Sequence, residues 1–476
     1  MSALKFPLTF PFPRIYLHLG DSFLRRGKQR MAGIFKSYDI RGTVPNELTT
    51  GDAYRIGKAA VGFFKAKTLG VGRDARIQSP DMSAALIAGI NAAGADCIDL
   101  GMNPTPMTYY ATGVLGKQLE GAIQVTASHN PSQYNGFKFT RSGALPMSYD
   151  TGLNEVEALY KQDKPGIGKS RGKTSVKNMR PGYIKHCRNF ANLARPLKIA
   201  IDTGNGVMGD ILPDILKSLP LKVVPLFFKP DGRFPNHEAN PLKAENLVDL
   251  QKAVVEKKCD IGVAFDGDGD RVAFVDENGV AVPGDLAGAL MAQVLLAKNP
   301  GAKVFYDVRA TKALPEAIAV AGGVPLETRV GHSYIKAGMR KDKAVMAAEL
   351  SGHYYFRDFF YSDSGETAFF LVLSLLSQGT KKASELVTPL QRYFHTSEIN
   401  FEVHDAGKVL AAAEAKYGPG AKKVSKVDGI SIDMGSWWFN LRMSNTEPVV
   451  RLNLESLKSK EEMEEKKAEV SKLIAG

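Results

Sequence analysis

The sequence predicts an α/β protein of several domains, closed by a smaller α+β domain. Three observations carry this. Short β-branched runs alternate with helical stretches, Gly- or Asp-rich loops follow those runs, and the pattern changes near Ile399. A chain of 476 residues accommodates three to four domains at ~100–200 residues each. Hydrophobic residues make up 44% and charged residues 24%, the balance of a soluble globular chain with an ample core.

Buried strands are expected at Leu69–Gly72, Ala122–Val125, Lys198–Ile201 and Ile261–Phe265, with helices over Ala53–Lys65, Met82–Ala93 and Leu247–Lys257. Strands that alternate with helices imply parallel, right-handed βαβ units. A third such segment runs from about Gly284 to Gln378 and contains Arg309-Ala310-Thr311-Lys312, Gly331-His332 and Glu349–Gly352. A helix near Ser364–Leu376 and a linker near Lys381–Ser397 lead to the last segment, which ends in a charged helix over Lys460–Ile474. The boundaries expected are an extension over 1–32, expected to be disordered, then domains over 33–175, 176–280, 281–390 and 391–476.

Ligands of open α/β sheets collect at the carboxyl ends of strands, so the loops there are where chemistry is sought. Asp266-Gly267-Asp268-Gly269-Asp270-Arg271 directly follows Ile261–Phe265. Alternate carboxylates on a curled, glycine-bearing loop can converge on one cation, and hard oxygen donors select Mg²⁺ or Ca²⁺. An EF-hand matches at its first, third and fifth positions but requires glycine at the sixth, where Arg271 stands. A free acidic turn is disfavoured because three adjacent carboxylates repel.

Ser128, in Thr126-Ala127-Ser128-His129-Asn130-Pro131, sits at the end of another apolar run. Taken alone it reads as a turn, since Ser, Asn and Pro are turn formers. No Gly-x-Ser-x-Gly elbow surrounds it, which argues against a serine hydrolase. Beside the acidic loop it gains meaning, because a phosphate on Ser128 would supply an oxygen ligand to the cation. Arg442-Met443-Ser444-Asn445-Thr446-Glu447-Pro448 offers a guanidinium fork and hydroxyl donors suited to phosphate; an ordinary turn fits its composition about as well. Glu349-Leu350-Ser351-Gly352-His353 offers neighbouring groups for vicinal hydroxyls, or a polar loop beside Tyr354-Tyr355-Phe356.

Other classes are set aside on bulk grounds. The apolar run near Ala368–Leu376 is too short for a bilayer, which needs ~20 residues. Cys97, Cys187 and Cys259 are dispersed and odd in number, so neither a disulfide framework nor a zinc site is suggested and a reducing cytoplasm is expected. The net charge is +12, yet no basic stripe interleaves with aromatics as nucleic acid binding requires; the surplus suits a cleft for anionic, phosphorylated ligands. The first 30 residues hold six basic groups and one acid, punctuated by Phe6-Pro7, Phe10-Pro11 and Phe12-Pro13. A transit sequence and a tail ahead of a start at Met31 are both open readings, the second preferred; a signal peptide is not supported.

In their order and spacing, Tyr38-Asp39-Ile40-Arg41-Gly42, Thr126–Pro131, Asp266–Arg271, Glu349–His353 and Arg442–Pro448 resemble the signatures of the α-D-phosphohexomutase superfamily, of the bacterial phosphomannomutase/phosphoglucomutase type. The likeness runs from Phe35 to the C-terminus. It implies three related α/β domains with mixed sheets and a TATA-binding-protein-like last domain around a central cleft. It implies reversible conversion of a hexose 1-phosphate, of mannose or glucose, to the 6-phosphate. Ser128 is then a phosphoserine, and one Mg²⁺ is held by Asp266, Asp268, Asp270 and that serine's phosphate. Arg41, His129 and Lys138 match groups around the reacting phosphate, Arg271 an arginine in the cleft next to the metal, and Lys138 or His353 the base. Tyr38, Lys312, His332, Glu349 and Ser351 match sugar-contacting positions; Arg442, Ser444, Asn445 and Thr446 match the clamp for the other phosphate. A hexose 1,6-bisphosphate is the implied activator, and a monomer or dimer without nucleic acid or membrane partners the implied state. Ala348-Glu349-Leu350-Ser351 replaces the family's frequent Gly-Glu-Met-Ser, which bears on sugar preference. A phosphoglucosamine mutase, a plain phosphatase and a non-enzymatic sugar-phosphate-binding paralogue are the alternatives.

Overall fold

The structure, a computed structural model, describes residues 33–163, 170–443 and 449–476. Four sheets succeed one another along the chain. In the first, Gly121–Val125, Thr68–Arg73, Asp96–Met102 and Thr174–Val176 run parallel, and Tyr134–Arg141 and Ile40–Thr43 extend the edge antiparallel. The second sets Leu221–Leu226, Leu197–Asp202 and Ile261–Phe265 parallel, then turns back through Val272–Asp276 and Ala281–Val282. The third sets Val324–Thr328, Lys303–Asp307 and Met346–Ala348 parallel, then turns back through Tyr354–Phe356 and Ser362–Asp363. The fourth is antiparallel throughout and six-stranded, centred on Trp437–Met443 and Val449–Ser456.

The first three sheets thus share a device. A fully buried strand on the parallel side leads through a short loop into an antiparallel return: Gly121–Val125 to Tyr134–Arg141, Ile261–Phe265 to Val272–Asp276, Met346–Ala348 to Tyr354–Phe356. Those three loops contain Ser128, the acidic triplet and Glu349–His353. Among the described residues the first three sheets are mixed, as the family likeness implies, rather than purely parallel, as strand–helix alternation alone suggests.

The expected strands and helices are present, with ends shifted by a few residues. Ile261–Phe265 is a strand over that span, Ala53–Lys65 is the helix Thr50–Phe64, and Met82–Ala93 is Ser79–Ala92. A capping box at Thr49 and Asp52 starts the first of these helices. Two domain limits read differently in the sheets. Thr174–Val176 completes the first sheet across 175/176, and Ala281–Val282 completes the second beyond 280. Nor is 381–397 a bare linker: it forms the helix Ala383–Val387 and a turn at Thr388–Leu390, with Ala383, Val387 and Leu390 buried.

The helix Gly365–Ser377 is buried on nearly every face, as its apolar run requires. It joins two domains. Phe369 packs on Phe265 at 6.0 Å between ring centroids, Tyr183 Oη donates to Glu366 at 2.6 Å, and Ser374 and Ser377 accept from the backbone N–H of Asn192 and Ala194. Side chains of three sheets share one hydrophobic core. This continuity holds the three loops at one place. Among the described residues, no helix is long and apolar enough to cross a membrane.

Candidate active site

Ser128 is built into position from behind. At the carboxyl end of Thr68–Arg73, buried Asp74 accepts hydrogen bonds from Thr126 Oγ1 at 2.7 Å, Ser79 Oγ at 2.6 Å and Arg76 Nε at 3.2 Å. The fully buried Arg76 guanidinium then donates to the carbonyls of Ser128, Asn130, Pro131 and Tyr134, at 2.7–3.0 Å. That fork fixes the loop while Ser128 takes a left-handed φ of 53°, a conformation costing about 1–2 kcal/mol for a non-glycine residue. The result aims Ser128 Oγ at Asp266 Oδ2, 2.8 Å away, with His129 Nδ1 at 3.3 Å.

The acidic loop closes over the serine. Gly267 has to be glycine, since a Cβ there would lie 2.5 Å from the Ser128 carbonyl oxygen. Gly269 combines a φ of +76° with a Cβ position 2.4 Å from Met208 Sδ. Asp266, Asp268 and Asp270 are buried, and one oxygen of each lies within 4.8 Å of the others. Thr105 Oγ1 donates to Asp268 at 2.5 Å, and Lys138 Nζ bonds Asp268 at 2.8 Å and also Asp270. Asp268 Oδ1 and Asp270 Oδ1 are buried without a hydrogen-bond partner. Buried carboxylate oxygens are rarely left so, and a hard divalent cation is what such oxygens accept.

Electrostatics point the same way. Burial, with Asp270 and Asp268 adding to it, pushes the Asp266 carboxyl well up. For Asp270, burial is outweighed by Lys138, His353 and Arg271, which hold it well below the usual range. Burial opposes the Lys138 charge, but Asp268 and Asp270 prevail and raise it, so Lys138 is an ammonium here. Burial, then Arg271 and Arg41, hold His129 well down, leaving the ring neutral.

The third loop joins directly. Arg271 and His353 form a backbone bridge, Arg271 Nε lies 3.1 Å from His353 Nε2, and Arg271 N donates to Asp266 at 3.1 Å. His353 lies 3.5 Å from both Asp270 and Glu349, with Ser351 Oγ at 3.0 Å. Glu349 accepts from Gly331 N at 3.2 Å, beside His332, and from Tyr355. Tyr38 packs on His332 at 5.3 Å between centroids, and its hydroxyl donates to the Val330 carbonyl at 3.3 Å. Arg41 donates to Asn130 at 2.5 Å, beside the serine loop.

Lys312 is placed elsewhere. Its ammonium bonds Asp433 at 2.8 Å and its N–H bonds Glu455 at 3.0 Å, both in the fourth domain. The cation beside Glu349 is Arg309, at 3.9 Å, locked by Asp307 at 2.9 and 2.7 Å. Arg442 reaches Glu398 at 2.7 Å. Ser444, Asn445 and Thr446 lie outside the described residues. Sequence reasoning missed Arg76, Asp74 and Thr105, and from the run Arg309–Lys312 it chose Lys312 rather than Arg309. A usable signal existed for two of them: Asp74 and Arg76 follow a predicted strand end as the chosen loops do.

Four domain models tile this chain. Phosphoglucomutase/phosphomannomutase alpha/beta/alpha domains I, II and III match residues 32–166, 181–279 and 283–393, and that family's C-terminal domain matches 398–473. The chain belongs to the phosphoglucomutase/phosphomannomutase family. A phosphomannomutase of Escherichia coli K12 is 41% identical over 432 residues, 89% of this chain and 94% of that one. A protein of Xanthomonas campestris described as phosphohexose mutases is 40% identical over 445 residues, 93% of this chain and 99% of that one. A family protein of Burkholderia thailandensis, solved by crystallography, aligns with a TM-score of 0.86 at 33% identity, covering 92% and 96% of the two chains. The fold and the acidic loop therefore sit within a family of known architecture.

One support of the acidic loop is open to a pH test. Asp202, at the end of Leu197–Asp202, bonds His237 Nε2 at 2.9 Å, and His237 Nδ1–H donates to the Glu238 carbonyl at 2.8 Å. Ala239, two residues on, lies beside the Gly267 Cβ position. Burial lowers the His237 pKa, but the Asp202 hydrogen bond and charge outweigh it, and the net shift is upward. The stabilisation is then complete below the unfolded value of ~6.5 and fades as pH rises through the folded value. His237→Ala is expected to lower the urea midpoint more at pH 6 than at pH 9; an equal loss at both would exclude a charged pair.

Proposed function

We propose that this chain is a magnesium-dependent phosphohexomutase that interconverts hexose 1-phosphate and hexose 6-phosphate, of mannose, glucose or both, through phosphoserine 128 and a 1,6-bisphosphate. The observation that carries the reading is Ser128 Oγ at 2.8 Å from Asp266, at the edge of three buried carboxylates of which Asp268 and Asp270 each keep an unpartnered oxygen. Asp266, Asp268 and Asp270 would hold Mg²⁺ together with an oxygen of the serine phosphate. When bound, Mg²⁺ supplies charge neutralisation to the phosphoryl group in transit.

This chain's own groups supply the rest. Glu349, held by Gly331 N and Tyr355, binds sugar hydroxyls with Ser351. Arg442 holds the phosphate that is not reacting. Phosphoserine 128 gives its phosphoryl group to the free sugar hydroxyl; the P–O bond to the serine breaks as that to the sugar forms. The hydroxyl's proton goes to a base, for which His353 is the candidate, since Lys138 is already an ammonium. The bisphosphate turns over in the cleft, and Ser128 Oγ takes the other phosphoryl group. Arg41 and Arg271 offset the charge of the moving group. Glu349 and Ser351 meet hydroxyls that glucose and mannose share, so both sugars are accepted. A hexose 1,6-bisphosphate re-primes any serine left unphosphorylated.

A coupled assay with mannose 1-phosphate, glucose 1-phosphate and glucosamine 1-phosphate tests this. The first two should yield 6-phosphates with Mg²⁺ and without release of inorganic phosphate; phosphate release alone would make the protein a phosphatase. Asp268→Asn should lose Mg²⁺ affinity and activity together, the latter by ~10²-fold or more, as removal of an electrostatic group at a reacting centre does. Unchanged metal affinity would remove Asp268 from the ligand set.

A further inference from the structure

Arg442 and Arg451 stand directly opposite each other on the paired strands Trp437–Met443 and Val449–Ser456. Like charges so placed destabilise a sheet unless an anion lies between them. Here it is Glu398, just ahead of the strand Ile399–Glu402 where the chain enters the fourth domain. Its Oε2 accepts from Arg442 Nη2 at 2.7 Å and its Oε1 from Arg451 Nη1 at 3.0 Å, with Asn453 Nδ2 at 3.4 Å. Arg309 of the third domain approaches the same carboxylate, at 3.9 Å. Arg309 is itself paired with Asp307, so Arg442 and Arg451 share the one carboxylate and one positive charge is left over for an incoming anion.

We propose that the Glu398 carboxylate is a built-in placeholder for the non-reacting phosphate of the substrate, a part that rests on the function read above. With the clamp free, Glu398 neutralises Arg442 and Arg451 and reaches across to Arg309. A phosphate entering at Arg442 takes over that guanidinium, and Glu398 keeps Arg451. When the bisphosphate leaves to turn over, Glu398 closes on Arg442 again. The arginines are never left bare, and the intermediate is never held so tightly that it cannot turn. Burial opposes ionisation of Glu398, but Arg442 and Arg309 outweigh it and hold its pKa down, so the competitor is charged at neutral pH.

The test is phosphate affinity of the full chain, measured by calorimetry with inorganic phosphate, alongside steady-state kinetics. Glu398→Gln keeps the shape and removes the charge. It should bind phosphate about fivefold more tightly or more, since fivefold is what one unit charge ~4 Å away is worth even at the dielectric of bulk water. KM and kcat should both fall, because the intermediate lets go more slowly. Unchanged or weaker phosphate binding by the folded variant overturns the proposal, leaving Glu398 a support for Arg442. Should Glu398→Gln not fold, Glu398→Asp carries the same expectation, since the shorter side chain cannot span Arg442 and Arg451 together. Arg442→Gln separates the two readings: lost phosphate binding upholds the clamp on which the placeholder acts, and retained binding overturns clamp and placeholder alike.

Discussion

Replacing Ser128 by alanine is expected to abolish interconversion of hexose phosphates, by ~10⁴-fold or more, the scale of loss when a covalent carrier is removed. The fold should survive. The loop is held by Arg76 through backbone carbonyls and by Asp74 through Thr126, none of which involves the Ser128 hydroxyl. Alanine also relieves nothing at φ 53°, so the melting temperature should scarcely move. The hydroxyl's lost bond to Asp266 is a bond between a buried donor and an acceptor that a cation would otherwise engage, so Mg²⁺ affinity should change little in the unphosphorylated protein. Incubation with hexose 1,6-bisphosphate should label the wild-type protein with one phosphoryl group and leave the variant unlabelled. A variant that interconverts hexose phosphates at the wild-type rate, given bisphosphate, would end the phosphoserine reading.

The buried strands were legible because a continuous apolar run bounded by turn residues has few other uses. Ile261–Phe265 is the clearest instance. The returns were not drawn from strand–helix alternation, although the loops carried the information: six residues, Asp266–Arg271, cannot hold the crossover that a parallel partner requires. Such a short connection forces an antiparallel hairpin, which the register of Phe265 with Val272 displays. The convergence of the acidic triplet was legible from residue types alone: three carboxylates alternating with glycine do cluster, one oxygen of each within 4.8 Å of the others. Its supports were not. Arg76 acts through carbonyl oxygens of residues 52 to 58 positions away, and no local pattern encodes such a contact. Arg309 and Lys312 lie on one short run, and only the third domain's packing on the fourth decides which faces Glu349.

Lys336→Met should cost ~3–5 kcal/mol of stability, the penalty for stripping one partner from a buried ion pair. Lys336 lies on the helix His332–Asp342 and is 1% exposed; its ammonium stands 2.7 Å from Asp363 Oδ1 and 4.0 Å from the centroid of the Tyr109 ring. Asp363 ends the third sheet and is 2% exposed, while Tyr109 belongs to the first domain. Methionine fills much the same volume, so the loss is one of charge rather than packing: Asp363 would be left without its counter-charge in a dry site, close to Asp270 and His353. Two consequences separate this from a simple core defect. Adding Asp363→Asn should recover a large part of the lost stability, because it removes the stranded charge, and a double-mutant cycle in urea measures the coupling. The single variant should also lose activity faster than it unfolds, since an unbalanced carboxylate at Asp363 adds negative charge beside Asp270 and repels the phosphate that must pass there. If Lys336→Met is as stable as the parent, the Lys336–Asp363 pair does not carry the stability that its burial describes.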